Sequence, residues 1–399
     1  MNRRFLNLVV NCSTGVHSLR RIKLANNLFY PSTSEAEAAM AQTEAAIKLN
    51  AETYAGYKHG LRTLHAMATS LGPLPPAKIN FQPSGPNLRG DLSLDFVALL
   101  GDESRILCGD SCGRTSLYDA DSHSVLTVPS LMSSKGRDAI PISIIRAADG
   151  YARQHDSLFV MSRSPDPEIE DYCFEELSYG GEDLFSEYQL IYQWTPLPVP
   201  PFVHHPAYKL PADIGAYTVV GGSTIYLSSM APGVGTYSFD AVKWKWRRLG
   251  NWRLPFFGKA EYVPEHNLWF GLSASHPFHL CASDLSTLES QGSPTVKHSW
   301  VDLDMPKNWS PFQLDLINLG SGRFCVVKIF HCTTPPIVVG LPDDDEEDDD
   351  ALDDCTDVID WEFAVLTGIE VVRQDGGLRM IKHMSRFHIF EDHSINWVL

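Results

Sequence analysis

From Leu92 onward, short apolar runs are separated by turn-forming residues every ~8 to 15 positions, a spacing typical of antiparallel all-β domains. The runs fall into five groups of four predicted strands, within residues 94–128, 142–194, 217–248, 259–301 and 312–390. Radial repetition of four-stranded sheets is the architecture of a β-propeller. The hydrophobic pattern therefore predicts a propeller over residues 92–399.

The second strand of each group measures the repeat. Its apolar residues are separated by 52, 67, 43 and 56 positions, at Ile106, Leu158, Ile225, Leu268 and Phe324. Kelch blades repeat at about 50 residues and WD40 blades at about 40 to 45. The uneven spacing indicates a degenerate repeat with loop insertions.

Both chain ends also carry strand-like runs, at Phe5–Val10 and Ser18–Lys23 and at Ile395–Leu399. An isolated two- or three-stranded piece is marginal in water, so we expect residues 1–33 to complete a closing blade with the C-terminal strand. The predicted fold is all-β, a degenerate kelch-like β-propeller of six blades, with five or seven as alternatives. It carries one helical insertion near the N-terminus.

That insertion is predicted over residues 34–72, which are rich in Ala, Glu, Lys and Gln, all good helix formers. Ser34 and Glu37 match the spacing of a capping box. Three prolines follow, at Pro73, Pro75 and Pro76, and they begin a Pro- and Gly-containing linker over residues 73–91.

The third group carries the marks of a kelch blade: an apolar run, a double glycine, then Tyr and Trp. The predicted blade-core markers are Gly221, Gly222, Tyr237, Trp244 and Trp246. The glycines allow a tight turn. Strand alternation places both tryptophans on one face, which we expect to be buried between blades.

Composition supports a globular chain, with 44% hydrophobic and 20% charged residues. No apolar run reaches the roughly 18 residues of a membrane helix, so no membrane association is predicted. Much of the net charge of −17 comes from eleven acidic residues between Asp343 and Asp357. We expect a disordered acidic loop at 341–357, with weak cation binding or partner contact as the alternative.

The acidic balance argues against binding a phosphate backbone, which needs Lys and Arg, so a nucleic acid is not the expected partner. The stretch Lys243–Arg248 mixes cations with tryptophans, as single-strand binders do, but its alternation fits a blade strand. The eight cysteines lack metal-site spacing and are expected to be reduced, buried thiols.

Reduced thiols favour a cytoplasmic or nuclear location. The first 34 residues contain five Arg or Lys residues and no acid. The alternative is therefore a cleaved transit peptide for the mitochondrion or chloroplast.

Several segments along the whole chain resemble a plant family of domains of unknown function that is expanded in grasses. They include the opening Met1–Val10, Ala260–Glu265, Asn318–Cys325 and the terminal Trp397–Leu399. The family is similar in texture to kelch and F-box-associated propellers. The resemblance implies a propeller-like fold and no established activity. The Leu-Pro expected near the start of an F-box module is missing from residues 34–71, which weakens a link to ubiquitin ligases.

No nucleophile elbow, phosphate loop or dinucleotide fingerprint occurs in the sequence. The pair His276 and His279 has no third ligand nearby in sequence. We therefore predict no catalytic, cofactor-binding or metal-binding residues and no cofactor.

A segment after the third group combines a tryptophan, an arginine and two phenylalanines. We predict that it forms a partner-contact loop, comprising Trp252, Arg253, Phe256 and Phe257.

The function predicted from the sequence is a non-catalytic protein-interaction module with an unknown protein partner and an undetermined oligomeric state. One alternative is a propeller enzyme, oxidase- or hydrolase-like, with its site at one mouth of the ring. The other is an organellar protein with a cleaved N-terminus.

Overall fold

The computed structural model describes residues 3–12, 14–25, 27–42, 64–65, 67–85, 93–145, 156–167, 172–183, 186–210, 212–286, 288, 292–334 and 359–399. The predicted acidic loop at 341–357 lies outside these residues. Within the described ranges, no helix is both long and apolar enough to cross a membrane.

The described strands are named β1 to β25 in chain order. The first eight are β1 (Phe5–Cys12), β2 (His17–Lys23), β3 (Thr69–Ser70), β4 (Ile79–Phe81), β5 (Leu94–Leu99), β6 (Arg105–Asp110), β7 (Thr115–Asp119) and β8 (Ser124–Val128). The next eight are β9 (Ile140–Ile144), β10 (Asp156–Met161), β11 (Phe174–Asp183), β12 (Ser186–Pro196), β13 (Ile214–Val220), β14 (Thr224–Ser229), β15 (Thr236–Asp240) and β16 (Lys245–Gly250). The last nine are β17 (Phe256–Val263), β18 (Leu268–Ser273), β19 (Leu280–Ser283), β20 (Val296–Trp300), β21 (Trp309–Gly320), β22 (Arg323–Thr334), β23 (Ile359–Gln374), β24 (Gly377–Ile389) and β25 (His393–Val398).

Four-stranded antiparallel arrays repeat along the chain. Strands β5–β8 and β9–β12 each form one sheet in consecutive order. Strands β13–β16 and β17–β20 form two further arrays, joined into one eight-stranded sheet by a short parallel pairing of β13 with β17. Strands β21–β24 form the last sheet, which β3 extends. The fold is a β-propeller, as the hydrophobic pattern predicts, whereas the number of blades stays a prediction.

The two ends of the chain share one sheet, whose strand order is β25-β1-β2-β4. Strand β1 pairs antiparallel with both β2 and β25, and Val9 lies opposite Trp397. Strand β4 is a finding that the sequence did not predict, because its three residues fall inside the expected Pro- and Gly-containing linker. The domain boundaries drawn from the sequence stay a prediction.

Buried apolar side chains fill the spaces between neighbouring sheets. Phe159 and Phe174 of the β9–β12 sheet pack against Phe239 of the next array, with ring centroids 5.0 to 6.3 Å apart. Phe270 stacks on Phe324 of the last sheet at 5.1 Å. Because strands are covered on both faces, many read as near-continuous apolar runs.

The helical insertion begins earlier than predicted, with a helix over residues 33–42. The Ser32 hydroxyl accepts the Glu35 backbone N–H at 3.3 Å and donates to the Glu35 carboxylate at 3.0 Å. The helix-start pair is therefore Ser32 with Glu35, two residues before the predicted pair. Residues 43–63 lie outside the described residues, and residues 64, 65 and 67, shortly before β3, are helical.

Candidate functional site

The predicted contact loop is only partly a loop. Phe256 and Phe257 belong to β17. Phe256 is 2% exposed and packs with Trp269, and the Phe257 ring lies 5.5 Å from Phe278. The prediction of an exposed contact surface is wrong for Phe256, which packs between sheets, and stays a prediction for the half-buried Phe257. Trp252 is half-buried and Arg253 is exposed, and both lie between β16 and β17.

Four of the five predicted blade-core residues lie on strands β15 and β16 or in the turn after β13. Tyr237 is buried. Trp246 is half-buried; its ring lies 4.8 Å from Phe239, and its indole N–H donates to the Pro198 carbonyl at 2.8 Å. Gly221 and Gly222 form the turn after β13 with φ values of +61° and +72°, which glycine adopts without strain.

Trp244 does not belong to the blade core, and its predicted burial is wrong. Its side chain is 41% exposed and its φ is +55°. Its backbone N–H donates to the Asp240 carbonyl at 2.8 Å and closes a turn. The strand begins only at Lys245, so the alternation that would pair Trp244 with Trp246 does not apply.

A cavity of ≈ 1640 Å³ lies where the edge strands of the arrays converge. Its wall includes residues of β5, β9, β13, β17, β21 and β25. Each of these strands stands at one end of a four-stranded array. The cavity is therefore lined by one edge strand from every array.

Polar side chains from three successive arrays meet at one level of this cavity. Tyr217 of β13 lies opposite Lys259 of β17 in the parallel pairing. A Cβ atom placed on Gly258, one residue before Lys259, would lie 4.0 Å from the Leu314 carbonyl oxygen of β21. Asp315 follows Leu314 and therefore lies near the level of Lys259.

In this part of the cavity wall, Glu261 has a lysine partner, whereas the hydrogen-bond partner of Asp315 is a neutral amide. The Lys259 ammonium lies 2.5 Å from the Glu261 carboxylate. Burial alone would raise the pKa of Glu261, but the positive charges of Lys259 and Arg3 outweigh it and hold that pKa below its ordinary value. Asp315 accepts one hydrogen bond, from the Gln313 amide at 2.8 Å. Burial raises the pKa of Asp315 despite that hydrogen bond.

Arg163 brings a guanidinium to the same region, but backbone carbonyls take its donors. Its Nε donates to the Asp138 carbonyl at 2.9 Å, and a terminal nitrogen donates to the Ile214 carbonyl at 3.3 Å. Gln313 also donates to the Asn396 carbonyl at 3.1 Å, which connects β21 with β25. The wall is thus fixed by contacts between arrays.

Large apolar side chains are exposed among the residues that line the cavity. The exposed fractions are 54% for Phe312, 59% for Ile145, 48% for Met230 and 39% for Tyr262. Apolar side chains exposed beside a polar interior are the composition of a binding surface.

Two buried ion pairs lie outside the cavity, and the sequence analysis missed both. Lys135 pairs with Glu175 with both side chains fully buried, and Lys328 lies 2.8 Å from Asp302. Lys135 lies in the segment between β8 and β9 and Asp302 in the segment between β20 and β21, and each pairs with a strand of the array that follows. Each pair therefore fastens a connecting segment to the next array. A lysine flanked by Ser134 and Gly136 gave no signal of burial.

The histidine pair singled out in the sequence does not gather a metal site. His279 faces Asp302 at 3.5 Å, the carboxylate that Lys328 also contacts. No group of three or more His, Cys, Asp or Glu side chains with metal-site geometry occurs in the part of the chain that the structure describes.

Five of the seven described cysteines are buried. Burial raises the pKa of both Cys108 and Cys281 to about 12. Their thiolate forms, which are the reactive ones, are therefore disfavoured.

A family described as "Protein of unknown function (DUF1668)" matches residues 3–388, nearly the whole chain. The chain belongs to the DUF1668 family. Among curated proteins, no match was found. The family assignment agrees with the resemblance to a domain of unknown function, while plant origin stays a prediction.

Solved structures similar to the DUF1668 chain include propellers. The β-propeller domain of Cps50 (Swd1) from Myceliophteria thermophila is 14% identical over 49% of this chain and 56% of its own, with a TM-score of 0.28. The Pan2 WD40 domain of Neurospora crassa is 9% identical over 70% and 62%, with a TM-score of 0.30. The match thus spans less than two thirds of either structure. With TM-scores this low, the assignment of the fold depends on the chain's own sheets.

Proposed function

We propose that this DUF1668 protein is a non-catalytic protein-interaction module that receives a segment of a partner protein in the cavity between its arrays. The observation that carries the proposal is the cavity itself, with polar walls fixed by contacts between arrays and exposed apolar side chains among its lining. Its volume exceeds the ~300 to 1,000 Å³ of ordinary small-molecule pockets. An extended peptide segment suits such a space.

The composition of the lining supports a protein partner. Phe312 and Tyr262 offer aromatic contact area, which is enriched in protein interfaces. Interface anchors of this kind contribute most when the contacts around them exclude water. Asp315 and Lys259, which also line the cavity, supply polar selectivity.

Site-specific photo-crosslinking tests this function. A benzoylphenylalanine in place of Phe312 should yield discrete protein adducts in cell extract. The same group in place of Val125 is the matched control, because Val125 is 56% exposed but lies on β8, at the far edge of its sheet. Equal adduct patterns from the two positions would contradict binding at the cavity.

Several finer features stay part of the proposal. We place the protein in the cytoplasm or nucleus, where reduced thiols persist, and a fluorescent fusion of the full chain tests this against the mitochondrion and chloroplast. The kelch-type blade and the disordered acidic loop stay predictions from the sequence. The alternatives of a propeller enzyme and of an organellar protein also remain predictions.

A further inference from the structure

The described lining of the cavity carries more acidic than basic side chains. Eight carboxylates and four Arg or Lys side chains line it. Three of the carboxylates are already paired, Glu103 with Arg4, Asp102 with Arg105 and Glu261 with Lys259, which leaves five carboxylates against three arginines in the lining. A walled space with surplus negative charge concentrates positively charged ligands.

Asp315 is a lining carboxylate without a cationic partner among the described residues. It is half-buried and lines the cavity. Within the described ranges, no Lys or Arg lies within ion-pair distance of it, and its one hydrogen bond comes from a neutral amide. A carboxylate has about four acceptor positions, so three directions remain for incoming donors.

None of the described Lys or Arg side chains forms an ion pair with Asp315. Lys259 is held by Glu261 on its own strand. The charge of Arg163 lowers the pKa of Asp315 and the charge of Asp138 raises it, so these two opposite influences partly offset one another. Burial is the largest cause of the raised pKa of Asp315, and an arriving cation would oppose it.

We propose that Asp315 receives a lysine or arginine side chain of the partner segment, so that the module recognises a basic peptide. The inference rests on the proposed function. Charge complementarity favours this occupant, because the surplus carboxylates would repel an acidic peptide or a nucleic acid. The exposed Phe312, three residues before Asp315, is placed to contact the aliphatic part of the same segment.

Fluorescence anisotropy with labelled peptides tests this recognition. The probe is a pool of nine-residue peptides with a central arginine and random flanking residues, and the matched pool carries citrulline, which keeps the shape without the charge. The intact protein should bind the arginine pool at least about tenfold more tightly, the ratio expected from one hydrogen-bonded charge pair. Equal binding of both pools by the unmodified protein would overturn the inference.

The variant Asp315→Asn assigns the effect to one residue. It should reduce the arginine preference to near unity, while Asp121→Asn, at an exposed turn, should keep it. Thermal unfolding of both variants checks folding. A preference that persists in a folded Asp315→Asn protein would contradict the role of Asp315. Spermidine that binds more tightly than the arginine pool would overturn the peptide in favour of a free polyamine.

Failure of this inference differs from failure of the proposed function. Adducts at position 312 without an arginine preference would remove the basic peptide and keep the interaction module. Equal adducts at positions 312 and 125 would remove the module itself.

Discussion

Replacing Lys135 with methionine tests whether a buried ion pair fastens the segment between β8 and β9 to the array that follows. Both side chains of the Lys135–Glu175 pair are fully buried. The Lys135 ammonium also donates to the Ser133 carbonyl at 2.7 Å, and the Glu175 carboxylate accepts the Met132 backbone N–H at 3.1 Å. Lys135→Met leaves that carboxylate buried without its cation. Breaking a buried pair in this way costs about 3–5 kcal/mol.

Urea unfolding at pH 7 measures this cost as a change in midpoint. The double variant Lys135→Met with Glu175→Leu removes both charges, so it should cost less than the single change although it alters more atoms. The matched control is Lys243→Met, because Lys243 pairs with Asp240 on the surface and its side chain is 73% exposed. That change should cost at most about 1 kcal/mol. Two results would contradict this account of the pair. One is a loss of stability from Lys135→Met no larger than that of the control, and the other is a loss from the double variant equal to the losses from Lys135→Met and Glu175→Leu added together.

Two further predictions concern stability. Trp246→Ala should lower the free energy of unfolding by about 3 kcal/mol, because the ring packs between arrays. Trp244→Ala should change it by at most about 0.5 kcal/mol, because that ring lies in an exposed turn. Chemical denaturation compares the two variants, and similar losses of stability would contradict the packing of Trp246. Burial, helped by the charge of Arg137, lowers the pKa of His17 from 6.5 to about 4, so below pH 6.5 the unfolded chain binds a proton that the folded chain excludes. Stability should therefore be full above pH 6.5 and fall by up to roughly 3 kcal/mol on acidification to pH 4. His17→Phe should lessen that fall in urea midpoints at pH 7 and 4.5, and an unchanged fall would refute the assignment.

Local pattern determined the strands well where turn residues bound them on both sides. The first predicted group spans residues 94–128, and the observed β5 begins at Leu94 and β8 ends at Val128. The prediction missed the start of β16, because alternation continues through a turn that needs a positive φ at Trp244. It also missed β4, whose pairing with β2 is long-range, so nothing within its own three residues marks it.

The candidate site was beyond reach of the sequence for a different reason. Tyr217, Lys259 and Asp315 come from three arrays, and periodicity predicts the face of a strand but not the neighbours it meets. Lys135 and Glu175 are likewise 40 positions apart. Only the packing of one array against the next brings such residues together. The contact prediction failed for Phe256 because aromatic content alone cannot separate an exposed surface from a core.

The central claim is that a partner segment occupies the cavity, and filling the cavity tests it most directly. Ser143 is exposed, lines the cavity and lies on β9, so Ser143→Trp should reduce the space without disturbing a core. Thr127→Trp, at an exposed position of β8, is the matched control. The yield of photo-adducts at position 312 should fall strongly with Ser143→Trp and stay unchanged with Thr127→Trp. An undiminished yield in a folded Ser143→Trp protein would contradict the account.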